Sequence, residues 1–395
     1  MTQTVSQETE TSKTYLLGFD GMGRQIVSIH VKKMYQLMDD GTCAGGPGEQ
    51  PLLLGNAEAG ETEFNETDVI PFKQNTDLIV MSQAWARGKT SVVAGIRVEE
   101  LTLRYQVFGD RRVVYHGPGS WRFGSPEPFE SIDMCYTHAY GGFDETVPDP
   151  KVEYLIDMME PHPGMYPRNP CGKGYVVYPN KERIDGLLLP NIEHPGMLLT
   201  PQNLVVKGSE NWWRAPLPWS CGWFEKTFYP RILYYRGAPE HLPAEDAELP
   251  EVQLGWLDAG YGLDVPGLEE DHPYDYRICD AASPALVMPT MRGDERIELT
   301  NMTPDGHMVV QLPSDRPHVS VQYKGKREEV PVVPHRILIS TLEGGVYIVW
   351  HAAWYPPRFL PERGFRPGAS LAAAVAGVDV FVDGHAITPL GAEDA

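Results

Sequence analysis

"RILISTLEGGVYIVWHAAW", running from Arg336 to Trp354, decides how this chain is read. Two runs rich in isoleucine, valine, leucine and tryptophan flank Glu343-Gly344-Gly345, and neither keeps the 3.6-residue apolar spacing of a helix. β-Branched and aromatic residues suit a pleated surface, and a short glycine-bearing link between two such runs makes a hairpin. The pattern repeats outward from this point. "ERIELTN" and "HMVVQLP" flank a Pro-Asp-Gly turn, "VSVQY" and "REEVPVV" flank Lys-Gly-Lys, and "VDVFV" and "HAIT" flank Asp-Gly.

Upstream, Asp77 to Ala86 and Thr90 to Gly109 are again β-rich, and Gly109-Asp110 leads into "RRVVYHG" as a hairpin return. The centre differs. Between Gly117 and Pro273, proline and glycine recur every few residues, which excludes long helices because an interior proline removes a donor and clashes with the preceding turn. One short helix is predicted at Pro150 to Glu160, and surface loops at Pro243 to Val252 and Val265 to Pro273. The expected fold is all-β and mainly antiparallel. It has two or more packed sheets in sandwich- or barrel-like lobes, long Pro/Gly-rich loops, and a few short helices making up under about a fifth of the chain. Residues 1–13 read as a disordered tail, 14–275 as a β-rich N-terminal and central lobe, and 276–395 as a hairpin-rich C-terminal lobe. One continuous unit is the other division the sequence permits.

The chain has 395 residues and a formal net charge of -21, with no block of lysine and arginine. A binder of nucleic-acid backbone shows a basic face, so no nucleic-acid partner is expected. An acidic surface instead favours solubility and attraction to a basic protein. Five cysteines lie far apart without a C-x-x-C pair, which is neither a disulfide framework nor a zinc pattern and suits a reducing compartment. The polar N-terminus shows no signal pattern, and no apolar run reaches the roughly 18 residues of a membrane helix. No membrane insertion and a cytoplasmic location are expected.

Few stretches carry recognisable chemistry. "NPCGKG" (Asn169 to Gly174) lacks the spacing of a phosphate loop, and "GFDGMGRQ" precedes a strand-like run. Cys171 as a nucleophile needs an activating base, for which His162, His194 and Lys173 are the neighbours in sequence. There is no H-E-x-x-H and no G-x-S-x-G. His335 and His351 are placed to meet across one hairpin, where partial exposure is the ordinary state of strand histidines. No catalytic, metal or cofactor residue is assigned. Asn169, Pro170, Gly172, Gly174, Pro190 and Asn191 read as turn formers, with glycines supplying positive φ. "NWWRAPLPWSCGWF" leaves two readings open. Trp212, Trp213, Trp219 and Trp223 either cap a sheet or, with Arg214, form a sticky groove for a partner.

An ordered series of motifs resembles a known family. It comprises Thr76-Asp77-Leu78-Ile79-Val80, Gly109-Asp110-Arg111, Pro128-Phe129, Ala139-Tyr140-Gly141-Gly142, Asn169-Pro170-x-Gly172-x-Gly174 and Leu189-Pro190-Asn191-Ile192-Glu193-x-Pro195. "RGDERIELTNMTPDGHMVVQLP" and "HRILISTLEGGVYIVWHAAW" continue it, so that the resemblance spans residues 65 to 355 or so. Together these are similar to the bacterial family catalogued as domain of unknown function 2169. Between Lys207 and Arg236 the tryptophan- and proline-rich run departs from the family pattern. The resemblance implies a cytoplasmic adaptor or chaperone of type VI secretion, which binds a secreted toxin effector and helps load it onto the spike protein. No catalytic residue and no cofactor carries over from the family. The rival expectation is a hydrolase or transferase whose site is assembled from dispersed cysteine, histidine and carboxylate residues.

Overall fold

The computed structural model describes residues 12–20, 24–54, 57–58, 64–147, 162–231, 276–356 and 377–390. The Arg336–Trp354 hairpin lies at the centre of its largest sheet. Seven strands take part, in the spatial order Lys13–Phe19, Gln25–Leu37, Gly345–Trp354, Val332–Ser340, Thr76–Met81 and Val287–Met288, with Cys43–Glu49 also pairing on Gln25–Leu37. A strand flanked on both sides and covered on both faces must be apolar nearly throughout. Eight of the ten residues of Gly345–Trp354 are buried, which is why this stretch reads so plainly.

The pairing is antiparallel except where Thr76–Met81 runs parallel to Val332–Ser340, with Leu78 opposite Ile337. A five-stranded sheet follows the order Ile192–Glu193, Leu101–Phe108, Ser91–Val98, Arg296–Thr300 and His307–Gln311. A four-stranded sheet joins Lys326–Val330, Val319–Tyr323, Val378–Val382 and His385–Ile387. The fold is all-β, with helix amounting to 6%. Strands from both sides of residue 275 share the two larger sheets, since Val287–Met288 pairs with Thr76–Met81 and Arg296–Thr300 with Ser91–Val98.

All four C-terminal hairpins form as read. Gly109-Asp110 does not turn a hairpin. Thr90–Gly109 is itself folded in two at Glu99-Glu100, with Glu99 at φ 48°, and Val113–Gly117 pairs with Ser120–Phe123 instead. The two glutamates are exposed at this tight turn. Most of residues 1–13, the helix at 150–160 and the two acidic loops lie outside the described residues.

One hydrophobic core draws on all three sheets. A second is enclosed by the irregular central stretch, where Tyr140, Tyr166, Tyr175, Trp212 and Tyr229 pack ring against ring. Within the large sheet His30, His335 and His351 come from three consecutive strands, with ring centroids 5.2–5.8 Å apart. All three are buried, which corrects the expectation of partial exposure. The sheet is covered there, so burial and mutual repulsion hold His30 and His335 well below the ordinary imidazole pKa, and burial takes His351 down to about 4. Among the described residues no group of histidine, cysteine or carboxylate side chains is arranged to hold a metal ion.

Candidate partner-binding site

The turn-forming motifs, scattered over some 85 residues of sequence, meet in one place. Asn169, Pro170, Cys171 and Gly172 form a β-turn closed by Gly172 N donating to Asn169 O at 3.4 Å, with proline in the position where its fixed φ fits. The Asn169 side chain, fully buried, donates to Tyr136 O and Tyr140 O at 2.8 and 3.0 Å. Gly172 serves by its size. A Cβ there would stand 2.5 Å from Asn169 Nδ2 and 2.7 Å from Ala139 O. Its φ is not positive, so the expected reason for this glycine is corrected, whereas Gly174 does have φ 92° and abuts Pro190.

Asn191, also buried, is the hub of the junction. Its amide donates to Phe108 O and to the Asp110 carboxylate, while its oxygen contacts Lys173 Nζ at 3.0 Å and His138 Nδ1 at 2.9 Å. Arg111 and Glu193 form a buried ion pair beside it. Burial lowers the pKa of both His138 and Lys173 from their ordinary values. The bases proposed from sequence for Cys171 were His162, His194 and Lys173. Its thiol instead lies 3.1 Å from Asn169 Oδ1, and the histidine of this junction is His138, 33 residues upstream of the cysteine. Asp110 is marked in the sequence as a turn residue, whereas only spatial proximity reveals His138.

From this junction two short parallel strands emerge, Tyr140–Gly141 and Lys173–Gly174. The chain beyond each carries an aromatic residue to the surface, Phe143 at 41% and Tyr178 at 50% exposure. Asp144 locks the two together. It is fully buried, and its carboxylate accepts from Val177 N at 2.8 Å, Tyr178 N at 3.1 Å and Thr146 Oγ1 at 2.6 Å, with Arg183 Nε 3.3 Å away. Burial alone would raise its pKa. The hydrogen bonds outweigh burial and hold the carboxyl below its usual range. Phe143 also stacks on His162 at 4.8 Å between ring centroids. Large aromatic groups held rigidly at a surface lose little entropy when a partner covers them, and such residues supply many interface hot spots.

The tryptophans stand elsewhere. Trp212, Trp213, Trp219 and Trp223 are each at most 9% exposed, so of the two readings the rings take the packing one, and the groove with Arg214 is corrected. The physical reason is local. The Pro-rich path folds back over the sheets, and the rings find partners there. Trp219 donates to Arg104 O at 2.8 Å and meets His194, while Trp223 lies beneath the Arg336 guanidinium in the large core. Trp212 and Trp213 belong to the second core. Arg214 alone of the proposed set is exposed, stacked on Trp213 at 4.6 Å.

The Arg336 guanidinium over Trp223 belongs to a further cluster of charge. Arg231 grips both oxygens of Glu66 at 2.6 and 2.8 Å, Arg336 reaches Asp68 at 3.1 Å, and Lys73 sits between Asp77 and Asp280. Burial pushes the Asp280 carboxyl up to about 6. These groups tie the 64–77 stretch to the 223–231 and 277–281 segments, and each carboxylate is matched by a cation.

The sequence profile of a bacterial family described as "Uncharacterized protein conserved in bacteria (DUF2169)" matches residues 22–351. That is well over half of the chain, and the chain belongs to this family. Comparison with curated proteins and with solved structures gave no match.

Proposed function

We propose that this DUF2169 member is a non-catalytic adaptor, acting in the cytoplasm, that binds a secreted effector of a type VI secretion system and helps load it onto the spike. The observation that carries the reading is that Phe143 and Tyr178 are both exposed, on two stretches of backbone tied together by the Asp144 carboxylate. Loops on a β scaffold are the usual place for recognition, and here the loops have a hydrophobic core of their own to hold them in position. The net charge of -21 adds long-range attraction for a partner with a basic surface.

The test is co-expression with candidate toxins drawn from the genes flanking this one. Co-elution of the two chains as one complex, with loss of soluble toxin when the adaptor is omitted, is the expected result. A toxin that is soluble alone and migrates independently of this protein would overturn the reading.

A further inference from the structure

The surface opens into a cavity of about 220 Å³, walled by Val205, Val206 and Ala215 and rimmed by Asn203, Lys207 and Arg214. Its position follows from the fold. Val205 bridges Val176 in parallel, and Val206 N donates to Val176 O at 2.8 Å, so one wall of the cavity pairs with the chain two residues before Tyr178. Asn211, from the 3-10 turn Ser209–Arg214, donates to Lys207 O at 2.6 Å and fixes the rim. The Arg214 guanidinium is held over the Trp213 ring at 4.6 Å, a stacked arrangement that limits its rotamers.

Charge is the unusual feature. In a chain of net charge -21, Lys207 and Arg214 line the same cavity, and among the side chains described, which leave out Ser209 and Glu210, no carboxylate forms an ion pair with either. Asn203 is committed to its own turn. Its oxygen accepts from Thr200 N and its amide donates to Leu198 O. The donors left for a ligand are therefore the two cations, set above an apolar floor. That combination suits a carboxylate on a short methylene stem, since the stem covers the valines while the oxygens meet the guanidinium and ammonium.

We propose that this cavity receives an acidic side chain of the partner polypeptide, lying next to the segment that covers Phe143 and Tyr178. The inference rests on the adaptor reading for its biology, but its chemistry is measurable on this protein alone. An otherwise basic partner would thereby be held in one register, because a carboxylate out of place would lose both cations.

The probes are N-acetyl-glutamate N-methylamide, its glutamine counterpart and inorganic phosphate, each titrated into full-length protein labelled with ¹⁵N-arginine. The Arg214 Nε–H signal is identified by its disappearance in Arg214→Lys. A saturable shift with the glutamate compound, none with the glutamine compound, and a loss of affinity of about two- to fivefold in Lys207→Ala are expected. No shift with glutamate, an equal shift with glutamine, or saturation by phosphate in preference to glutamate would overturn the proposal. Failure of the adaptor reading looks different. Toxin capture would then be absent altogether, whereas failure of this inference leaves capture intact in Lys207→Ala and Arg214→Ala.

Discussion

The side-chain amide of Asn191 donates to the Asp110 carboxylate at 2.9 Å, across 81 residues of chain. Two motifs that look like separate turns in the sequence are thus two halves of one tie, and the same asparagine contacts Lys173 and His138. Asn191→Ala would leave Phe108 O and the groups around it without their buried partner. A loss of about 2–4 kcal/mol in urea unfolding is expected. Asp110→Asn keeps an acceptor oxygen in place and should cost less than about 1 kcal/mol. Equal costs for the two variants would contradict the hub role of Asn191.

Trp219 and Trp223 are buried in the large core, and Trp219 also satisfies Arg104 O. Truncation of either to alanine removes a large side chain from close packing, so a loss of about 3–5 kcal/mol of folding stability is expected. Thermal and urea unfolding of the two variants decide this. Near-native stability in both would return these rings to the surface.

The turn at Asn169–Gly172 separates chemistry from shape. Cys171 is exposed, and Cys171→Ser keeps a donor toward Asn169, so stability and partner binding should stay within about 0.5 kcal/mol of the parent. Gly172→Val places carbon against Asn169 and Ala139 and should lower stability by about 2 kcal/mol or more. A Cys171→Ser protein that folds normally yet loses function would bring thiol chemistry back.

Local and distant information explain what could be read in advance. The hairpins at Arg296–Gln311, Val319–Val330, Val332–Trp354 and Val378–Ile387 were legible because alternation and turn residues lie within a few positions of one another. The parallel pairing of Thr76–Met81 with Val332–Ser340 was not, since nothing local specifies a partner more than 250 residues away. The site divides in the same way. Asn169 and Asn191 announced themselves as turn formers, but their meeting with Asp110 and His138 depends on contacts between distant segments. Phe143 carried no signal, because one exposed aromatic in a Gly/Pro-rich stretch looks like any other. The tryptophans misled for a related reason, as composition marks an aromatic-rich run without saying which way its rings face.

Acid should destabilise this fold through its central sheet. In the folded state His30, His335 and His351 have depressed pKa values, the last at about 4, against about 6.5 when unfolded. Their contribution is complete above pH 6.5 or so and is lost progressively as pH falls below that, because only the unfolded chain takes up those protons. Three imidazoles give a slope approaching about 4 kcal/mol per pH unit. Asp280 acts in the opposite sense below about pH 6, since its raised folded pKa binds a proton the unfolded chain lacks, and it offsets one of the three. Urea midpoints measured from pH 7.5 to 4.5 should fall steeply in the parent and less steeply in His335→Gln. A flat profile would show the imidazoles to be solvated.

The adaptor account stands or falls on the surface pair. Affinity for the purified toxin, measured by biolayer interferometry on Phe143→Ala, Tyr178→Ala and the parent, alongside their melting temperatures, tests it most directly. Each exposed ring contributes little to folding, so stability should stay within about 0.5–1 kcal/mol of the parent. Each should nevertheless weaken binding by about thirtyfold, the equivalent of about 2 kcal/mol for a desolvated aromatic anchor. Unchanged toxin affinity in both folded variants would contradict the central claim that this face receives the partner.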